Sequence, residues 1–145
     1  MRRLIDLRVL FVVVAVLEFA YFLASLTPPR LVTAVTGWVL NADGHWIVKL
    51  LGFALLTQAA VAWVFRKAPH LGVAKILAFY QFASATVDWI MWIALRDAGI
   101  FSTPLARITV IAAIISHYAL GVLLALAIAR MSQVRPATAA SIGAA

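Results

Sequence analysis

Long runs of apolar residues dominate the chain, and polar residues gather in the short stretches between them. A helix that crosses a bilayer needs about 20 consecutive, mostly apolar residues. Four runs reach this length, over residues 7–26, 46–65, 73–95 and 104–129. The pattern predicts an all-α, polytopic membrane protein folded as a four-transmembrane-helix bundle.

The connections carry the residues expected at helix ends. Thr27-Pro28-Pro29 ends the first span, because proline disfavours the helical conformation in the residue before it. Thr103 followed by Pro104 suits an N-cap and a first helical position at the start of the fourth span. Asn41 and His45 are expected to cap the second span.

The first connection contains a further apolar stretch, residues 30–40, which is too short to cross a bilayer. The turn-forming residues 41–45 follow it. We therefore predict a short interfacial or re-entrant helix in this connection. It is either a lipid-facing loop helix or a lid over a site on that side of the membrane.

Composition agrees with a membrane protein and narrows the chemistry. Hydrophobic residues make up 66% of the chain and charged residues 12%, whereas an average soluble domain is about 25% charged. The net charge is +7, but no basic segment is interleaved with aromatic residues, so we expect no nucleic-acid partner. The chain has no cysteine, which excludes disulfides, thiolate metal ligands and cysteine nucleophiles.

The distribution of lysine and arginine predicts the orientation, since cytoplasmic connections carry an excess of them. One side of the membrane has Arg30, Lys49, Arg96 and Arg107. The other side, with both termini and the second connection, has Arg2, Arg3, Arg8, Arg66, Lys67, Lys75, Arg130 and Arg135. We therefore expect both termini in the cytoplasm. The compact chain without sorting signals favours a bacterial cytoplasmic membrane.

We predict one transmembrane domain over residues 1–130 and a disordered cytoplasmic tail over residues 131–145, because the tail has no apolar periodicity. Residues 1–26 have the length of a secretory signal peptide. Glu18 lies inside their apolar stretch, however, and no clear cleavage site follows. We interpret this segment as a retained first span.

Polar residues lie inside the predicted spans, and the helical rise of about 1.5 Å per residue gives their depth from the non-cytoplasmic end. An outer layer, about 5–12 Å deep, holds one charged residue from each span: Glu18, Lys49, Asp88 and Arg107. A middle layer, about 18–21 Å deep, holds Gln58, Gln81 and His117. A central charge costs roughly 2.5–3.5 kcal/mol even on the lenient insertion scale, so these residues mark a candidate site.

Helical spacing assigns these residues to faces of their helices. The first span has a stripe of Phe11, Ala15, Glu18, Phe22 and Ser25, and the third has Gln81, Ala85, Asp88 and Trp92. The second span groups Lys49, Gly52, Leu56 and Trp63 on one face, with Gln58 opposite. The fourth has an i, i+4 ladder of small residues around the histidine: Ala113, His117, Gly121, Ala125 and Ala129. We expect this ladder to face the bundle interior, because small residues let helices approach closely in lipid.

The two acids have matching depths, which leaves two arrangements open. Asp88 and Glu18 could share a proton, or each could pair with Lys49 or Arg107. A structural pair would hold the helices in register. Ionisable residues inside a membrane are, however, functional by default, which favours a site that handles protons or binds a ligand.

In the functional interpretation, Asp88 is the principal acid or base, Glu18 its partner and His117 a second proton-transfer or hydrogen-bonding group. The ligand-binding candidates are Trp92, Gln81, Lys49, Arg107 and Gln58. Interhelical hydrogen bonds are the alternative role for His117 and the glutamines, and an interface belt is the alternative for tryptophans. The three histidines are too far apart in depth to share a haem, and we expect no metal or cofactor.

The leading hypothesis is a small membrane protein that binds a lipophilic small molecule in an acid–base pocket. If it is an enzyme, isomerisation, hydration or cyclisation by proton transfer fits these residues. The alternative is an accessory or structural subunit of a larger membrane complex. A third hypothesis is a proton-coupled transporter, which would need a homodimer because four helices are few for that task.

Overall fold

The computed structural model describes residues 6–96 and 99–142, with side chains described for residues 6–96 and 99–131. Within these residues the fold is entirely helical, with no strand. The helices are α1 (Leu7–Ser25), α2 (Pro29–Thr36), α3 (Ala42–Phe65), α4 (Leu71–Leu95) and α5 (Pro104–Ile142). A short 3₁₀ turn, Gly99–Phe101, precedes α5.

Four of these helices are long and apolar enough to cross a membrane: α1, α3, α4 and the Pro104–Met131 part of α5. The described residues therefore have the architecture of a four-helix membrane bundle, as the apolar runs predict. The short α2 occupies the first connection, where the sequence predicts an additional helix. It begins at Pro29 and is shorter than the predicted stretch of residues 30–40.

Side-chain caps determine where the long helices begin. The Asn41 side chain accepts a hydrogen bond from Gly44 N at 2.8 Å, so α3 begins at Ala42 rather than at Trp46. Thr103 Oγ1 accepts one from Ala106 N at 3.1 Å, which confirms the predicted cap of α5. The backbone amides at the two helix starts thus have acceptors.

The last helix extends along the predicted tail. Its backbone is helical as far as Ile142, whereas the side chains beyond Met131 and residues 143–145 lie outside the described part of the chain. The part of α5 beyond the span, from residue 132 to Ile142, is short, and an isolated helix of so few residues is only marginally stable in water. The disorder expected for residues 131–145 therefore stays a prediction.

Helix α2 is tied to the start of α5. Thr103 Oγ1 donates a hydrogen bond to Gly37 O at 2.6 Å, and Thr109 Oγ1 donates one to Thr36 O at 3.2 Å. Gly37 ends α2 in the left-handed conformation, with φ of 78°. The first connection consequently lies against the non-cytoplasmic end of α5 in the predicted orientation.

The long helices pack mainly in two pairs, α1 with α3 and α4 with α5. One apolar cluster unites all four and is centred on Phe11, Val14, Leu77 and Leu124. A second cluster lies at the opposite end of the bundle, where Phe101 packs with residues near the start of α5. The bundle is thus packed at both ends, and the buried residues Glu18, Gln81 and His117 lie between the two clusters along their helices.

The predicted face of α1 is correct, since Phe11, Ala15, Glu18 and Ser25 are buried. The predicted face of the second span is only partly correct, since Gly52 alone of its four residues is buried. The buried residues of α3 are Gly52, Leu55, Ala59 and Ala62, whereas Trp63 is half exposed. Close approach to α1 selects the small residues of α3, and the bulky indole remains outside.

The predicted ladder on the fourth span is partly wrong. His117 and Gly121 are buried, but Ala125 and Ala129 are exposed, and Leu124 and Ala127 take the interior positions. Steps of four residues advance about 400° in an α-helix, so such a ladder turns about 40° away at each step. Three steps carry Ala129 to the outer surface.

Candidate functional site

Three buried polar side chains from three helices form one hydrogen-bonded chain. Glu18 of α1 and Gln81 of α4 are fully buried, and His117 of α5 is 5% exposed. Gln81 Nε2 donates to Glu18 Oε1 at 2.6 Å. His117 Nδ1 lies 2.5 Å from Gln81 Oε1. The buried polar chain, as we call these three residues, links both helix pairs.

The buried polar chain joins residues that the depth estimate assigns to separate layers. Glu18 belongs to the predicted outer layer, and Gln81 and His117 belong to the middle layer. The expected offset is about 6–9 Å along the bundle axis. Two long side chains, glutamate and glutamine, extend toward each other and close this gap. The helical rise per residue gives the depth of each backbone position, but it does not include the length of the side chains.

The amide of Gln81 gives the chain a direction. An amide has a donating nitrogen and an accepting oxygen, whereas an ionised carboxylate only accepts. With Gln81 Nε2 facing Glu18, the carboxyl oxygen accepts, and a hydrogen bond between Gln81 Oε1 and His117 Nδ1 then requires the tautomer that carries a proton on Nδ1. The reversed amide would require a protonated Glu18 that donates to the amide oxygen. The orientation of Gln81 thus couples the proton on Glu18 to the tautomer of His117.

One oxygen of the buried carboxyl has no partner. Glu18 Oε2 is buried and makes no hydrogen bond within the described part of the chain. A buried polar atom without a partner costs free energy, so an acceptor or donor at this point would be stabilised. This oxygen is the open end of the buried polar chain.

Two further residues flank the histidine. The Tyr21 ring stacks on the His117 ring, with 5.5 Å between centroids and an angle of 25° between planes. The Tyr21 hydroxyl lies 3.3 Å from Ser116 Oγ. Neither residue is among the predicted site residues, although Tyr21 follows Glu18 by nearly one helical turn and Ser116 adjoins His117. Their proximity in sequence to the candidate residues is the signal that would have found them.

Asp88 lies on the same stripe of α4 as Gln81, nearer the end of the helix. It is half-buried, and no hydrogen bond or ion pair to its carboxyl exists among the described residues. Asp88 and Glu18 make no direct bond, and Asp88 lies about two helical turns from Gln81 along α4. Asp88 is therefore open, whereas Glu18 is engaged with Gln81.

The two basic residues of the predicted outer layer donate hydrogen bonds to backbone carbonyls. Lys49 Nζ donates to the carbonyls of Ser25 and Thr27, which lie at and just beyond the end of α1. A lysine at the negative end of a helix dipole is favourable. Arg107 is exposed, and its Nε donates to Phe101 O at 3.1 Å. The alternative in which a base pairs with Asp88 or Glu18 is wrong for these residues.

The remaining predicted ligand contacts lie apart from the buried polar chain. Trp92 is half-buried and packs edge-on against Phe101, with 5.6 Å between ring centroids. It extends the Asp88 stripe toward the non-cytoplasmic end in the predicted orientation. Gln58 is half-buried on α3 and makes no side-chain hydrogen bond within the described residues. A contact between either residue and a ligand stays a prediction.

The arrangement supplies one hydrogen-bonded carboxyl, one open carboxyl and an imidazole in an apolar span. Such a set can donate and accept protons at separate points. No protein-family model, curated protein or solved structure matches this chain.

Proposed function

We propose that this integral membrane protein binds a lipophilic small molecule at Asp88 and the neighbouring buried polar chain, and transfers a proton to or from it. The observation that carries the proposal is the open carboxyl of Asp88. It lies about 11 Å from the end of its helix on the 1.5 Å rise, with no partner among the described residues. An acid inside an apolar span without a protein partner indicates that the acid interacts with a ligand or carries a proton.

The state of Asp88 argues against a purely structural role for it. A structural acid fixes two helices by bonding to a group on the second helix. The nearby candidates for that role, Lys49 and Arg107, donate to carbonyls elsewhere. Glu18 and Gln81 do form such a bond. The interhelical bond is thus made by one acid, and the other remains available.

The proposed roles follow from these positions. Asp88 is the principal acid or base toward the bound molecule. Glu18 is its partner, and its free oxygen Oε2 is the second point of proton exchange. His117 stabilises the charge change on Glu18 through Gln81. Trp92 packs against the apolar body of the molecule.

This division suits reactions that require one acid and one base. Isomerisation of a carbon–carbon double bond adds a proton at one carbon and removes a proton from another. Hydration and cyclisation also begin with protonation of an unsaturated carbon. A water molecule then adds to the cation and gives up a proton in hydration, whereas a second double bond of the molecule adds and a neighbouring carbon gives up a proton in cyclisation. A carboxyl that donates and a second carboxylate that accepts complete each sequence, and the enzyme returns to its starting state after proton exchange.

The proposal includes the orientation and location of the protein. Both termini lie in the cytoplasm, in accord with the excess of lysine and arginine there. The membrane is a bacterial cytoplasmic membrane. Asp88 then lies in the half of the bilayer away from the cytoplasm, and a lipophilic molecule reaches it from within that leaflet.

Co-purification tests the proposal. The protein is purified in mild detergent, and organic extracts of it and of Asp88→Asn are compared by mass spectrometry. We expect a non-phospholipid lipophile with the unchanged protein and a loss of at least about tenfold in Asp88→Asn, about 1.4 kcal/mol of binding. Asp43→Asn is the matched control, since Asp43 is exposed in the first turn of α3.

Two outcomes would contradict the proposal. In one, repeated preparations contain no lipophile other than phospholipid. In the other, Asp88→Asn and Asp43→Asn retain the same molecule equally.

Proton transfer is tested separately. The extracted molecule is incubated with the protein in deuterated water, and the deuterium that the molecule incorporates is measured.

A further inference from the structure

A surface furrow runs lengthwise between α1 and α3 and shares no lining residue with the proposed site. Its apolar part has a volume of about 370 Å³. Alanines form its floor, at Ala15, Ala59 and Ala60, and the rings of Phe19 and Trp63 stand along it. The small floor residues leave a trough, and the aromatic rings provide walls. The trough is wholly apolar in its lining side chains.

The furrow continues to a basic end. A second depression of about 580 Å³ is lined by Arg8, Arg66 and Lys67, with Val9 and Val12. Trp63 of the apolar part and Arg66 of the basic part are three residues apart, so the two depressions lie on successive turns of the chain. Val12 is one turn from Val16 of the trough on α1. We call the whole feature the α1–α3 furrow.

One cation at the basic end is held in place. The Arg66 guanidinium lies over the Trp63 ring, with 3.7 Å from its central carbon to the ring centroid. Its Nη1 also donates to Trp63 O. A cation over an indole face is stabilised and loses little further freedom when an anion binds. Trp63 thus belongs to the trough and positions the charge at its mouth.

We propose that the α1–α3 furrow binds one anionic phospholipid, with its phosphate at Arg8, Arg66 and Lys67 and an acyl chain along the alanine floor. Basic pockets at the ends of transmembrane helices suit anionic headgroups, and each cation near the surface contributes. Asp6, the nearest acid in sequence, caps α1 by accepting a hydrogen bond from Arg8 N. The three cations at the basic end outnumber this one acid, so their net charge remains positive.

Charge and shape together select this occupant. A zwitterionic lipid fits the trough but brings its own cation to the basic end. An apolar helix from another protein would cover the trough and leave three cations without a counterion. A phosphate joined to a hydrocarbon chain satisfies both parts of the furrow at once.

Native mass spectrometry of the detergent-purified protein, with added phosphatidylglycerol or phosphatidylcholine, tests the assignment. We expect one tightly held phosphatidylglycerol and no comparably held phosphatidylcholine. The double variant Arg66→Gln, Lys67→Gln should bind phosphatidylglycerol about 30-fold more weakly, which corresponds to a loss of about 1 kcal/mol for each of the two cations. Lys75→Gln, Arg130→Gln is the matched control, because both residues are exposed at the same end of the bundle on the other helix pair.

A second pair of variants tests the trough. Ala60→Phe fills it, and Ala54→Phe places the same ring on an exposed position of α3 outside it. We expect weaker phosphatidylglycerol binding only in Ala60→Phe, and no displacement of the lipid by inorganic phosphate. Equal binding in the furrow variants and their controls would overturn the assignment. So would equal retention of phosphatidylcholine, or displacement by phosphate alone.

Discussion

Two acids at similar predicted depth have different surroundings. Glu18 is fully buried and bonded to Gln81, whereas Asp88 is half-buried and has no such partner among the described residues. A hydrogen bond lowers the cost of an acid in an apolar medium, so this cost is offset at Glu18 and not at Asp88. Their substitution should therefore have different consequences for stability.

Gln81→Leu should destabilise the bundle, because it removes two hydrogen bonds and leaves Glu18 and His117 buried without their partner. We expect a loss of about 1–2 kcal/mol, since hydrogen bonds between helices contribute less in membranes than the full desolvation cost. Thermal unfolding in one detergent measures it. Gln58→Leu is the control, with no change or a gain in stability expected. Equal loss in both variants would mean that the buried polar chain does not stabilise the bundle.

Asp88→Asn should leave the stability unchanged within about 0.5 kcal/mol, or raise it, because no bond to the carboxyl is lost. A residue kept for function commonly costs stability. The same thermal measurement, beside the unchanged protein, provides the test. A clear decrease in melting temperature would instead show that Asp88 bonds to another group in the folded protein, and the structural interpretation would replace the functional one.

At the scale of the elements, the first connection depends on one glycine. Gly37 has φ of 78°, a backbone conformation that residues other than glycine rarely adopt. A Cβ at this position would lie 2.3 Å from Ala106 N. The backbone of α2 thus approaches the start of α5 so closely that only a residue without a side chain fits. The hydrogen bond from Thr103 to Gly37 O depends on the same approach.

Gly37→Ala should destabilise the fold by at least about 1–2 kcal/mol, the cost of a left-handed residue with a Cβ, before the clash is counted. Limited proteolysis between α2 and α3 should become faster, because α2 would separate from α5. Gly99→Ala is the control, since a Cβ there meets no atom within 4 Å. Unchanged proteolysis in Gly37→Ala would show that the connection tolerates the displacement.

At the scale of the whole molecule, the bundle consists of two helix pairs joined by a shared apolar cluster and a few polar bonds. Side-chain hydrogen bonds between the pairs include Gln81 to Glu18, and Tyr21 with Ser116. These bonds lie within the spans, where the surroundings hold little water. The site therefore lies at the seam between the pairs, where a relative movement of the pairs would alter it.

The orientation of the whole molecule gives a direct prediction, since the chain has no cysteine to interfere with labelling. Ala68→Cys and Ser102→Cys place single thiols on exposed positions in connections at opposite ends of the bundle. In intact cells, a membrane-impermeant maleimide should label Ser102→Cys and leave Ala68→Cys unlabelled. Lysed cells supply the control, with both labelled. The reverse pattern in intact cells would place the termini outside the cytoplasm.

The sequence alone predicts the number, type and order of the spans and the additional helix of the first connection. Runs of about 20 apolar residues identify spans because no shorter helix crosses the hydrocarbon core. Local chemistry marks their ends, as the caps at Asn41 and Thr103 show. The acids, glutamines and histidine also stand out, because polar residues are costly in such runs. These features depend on residues near one another along the chain.

The pairing of side chains required the packed bundle. Residues Glu18, Gln81 and His117 are distant along the chain, and helix tilt and side-chain reach decide that they meet. The same packing brings Lys49 to the carbonyls at the end of α1 and leaves the Asp88 carboxyl without a partner among the described residues. Rise and periodicity give each helix its own depth and face, but which helices touch, and how closely, depends on the interlocking of small and large residues between them.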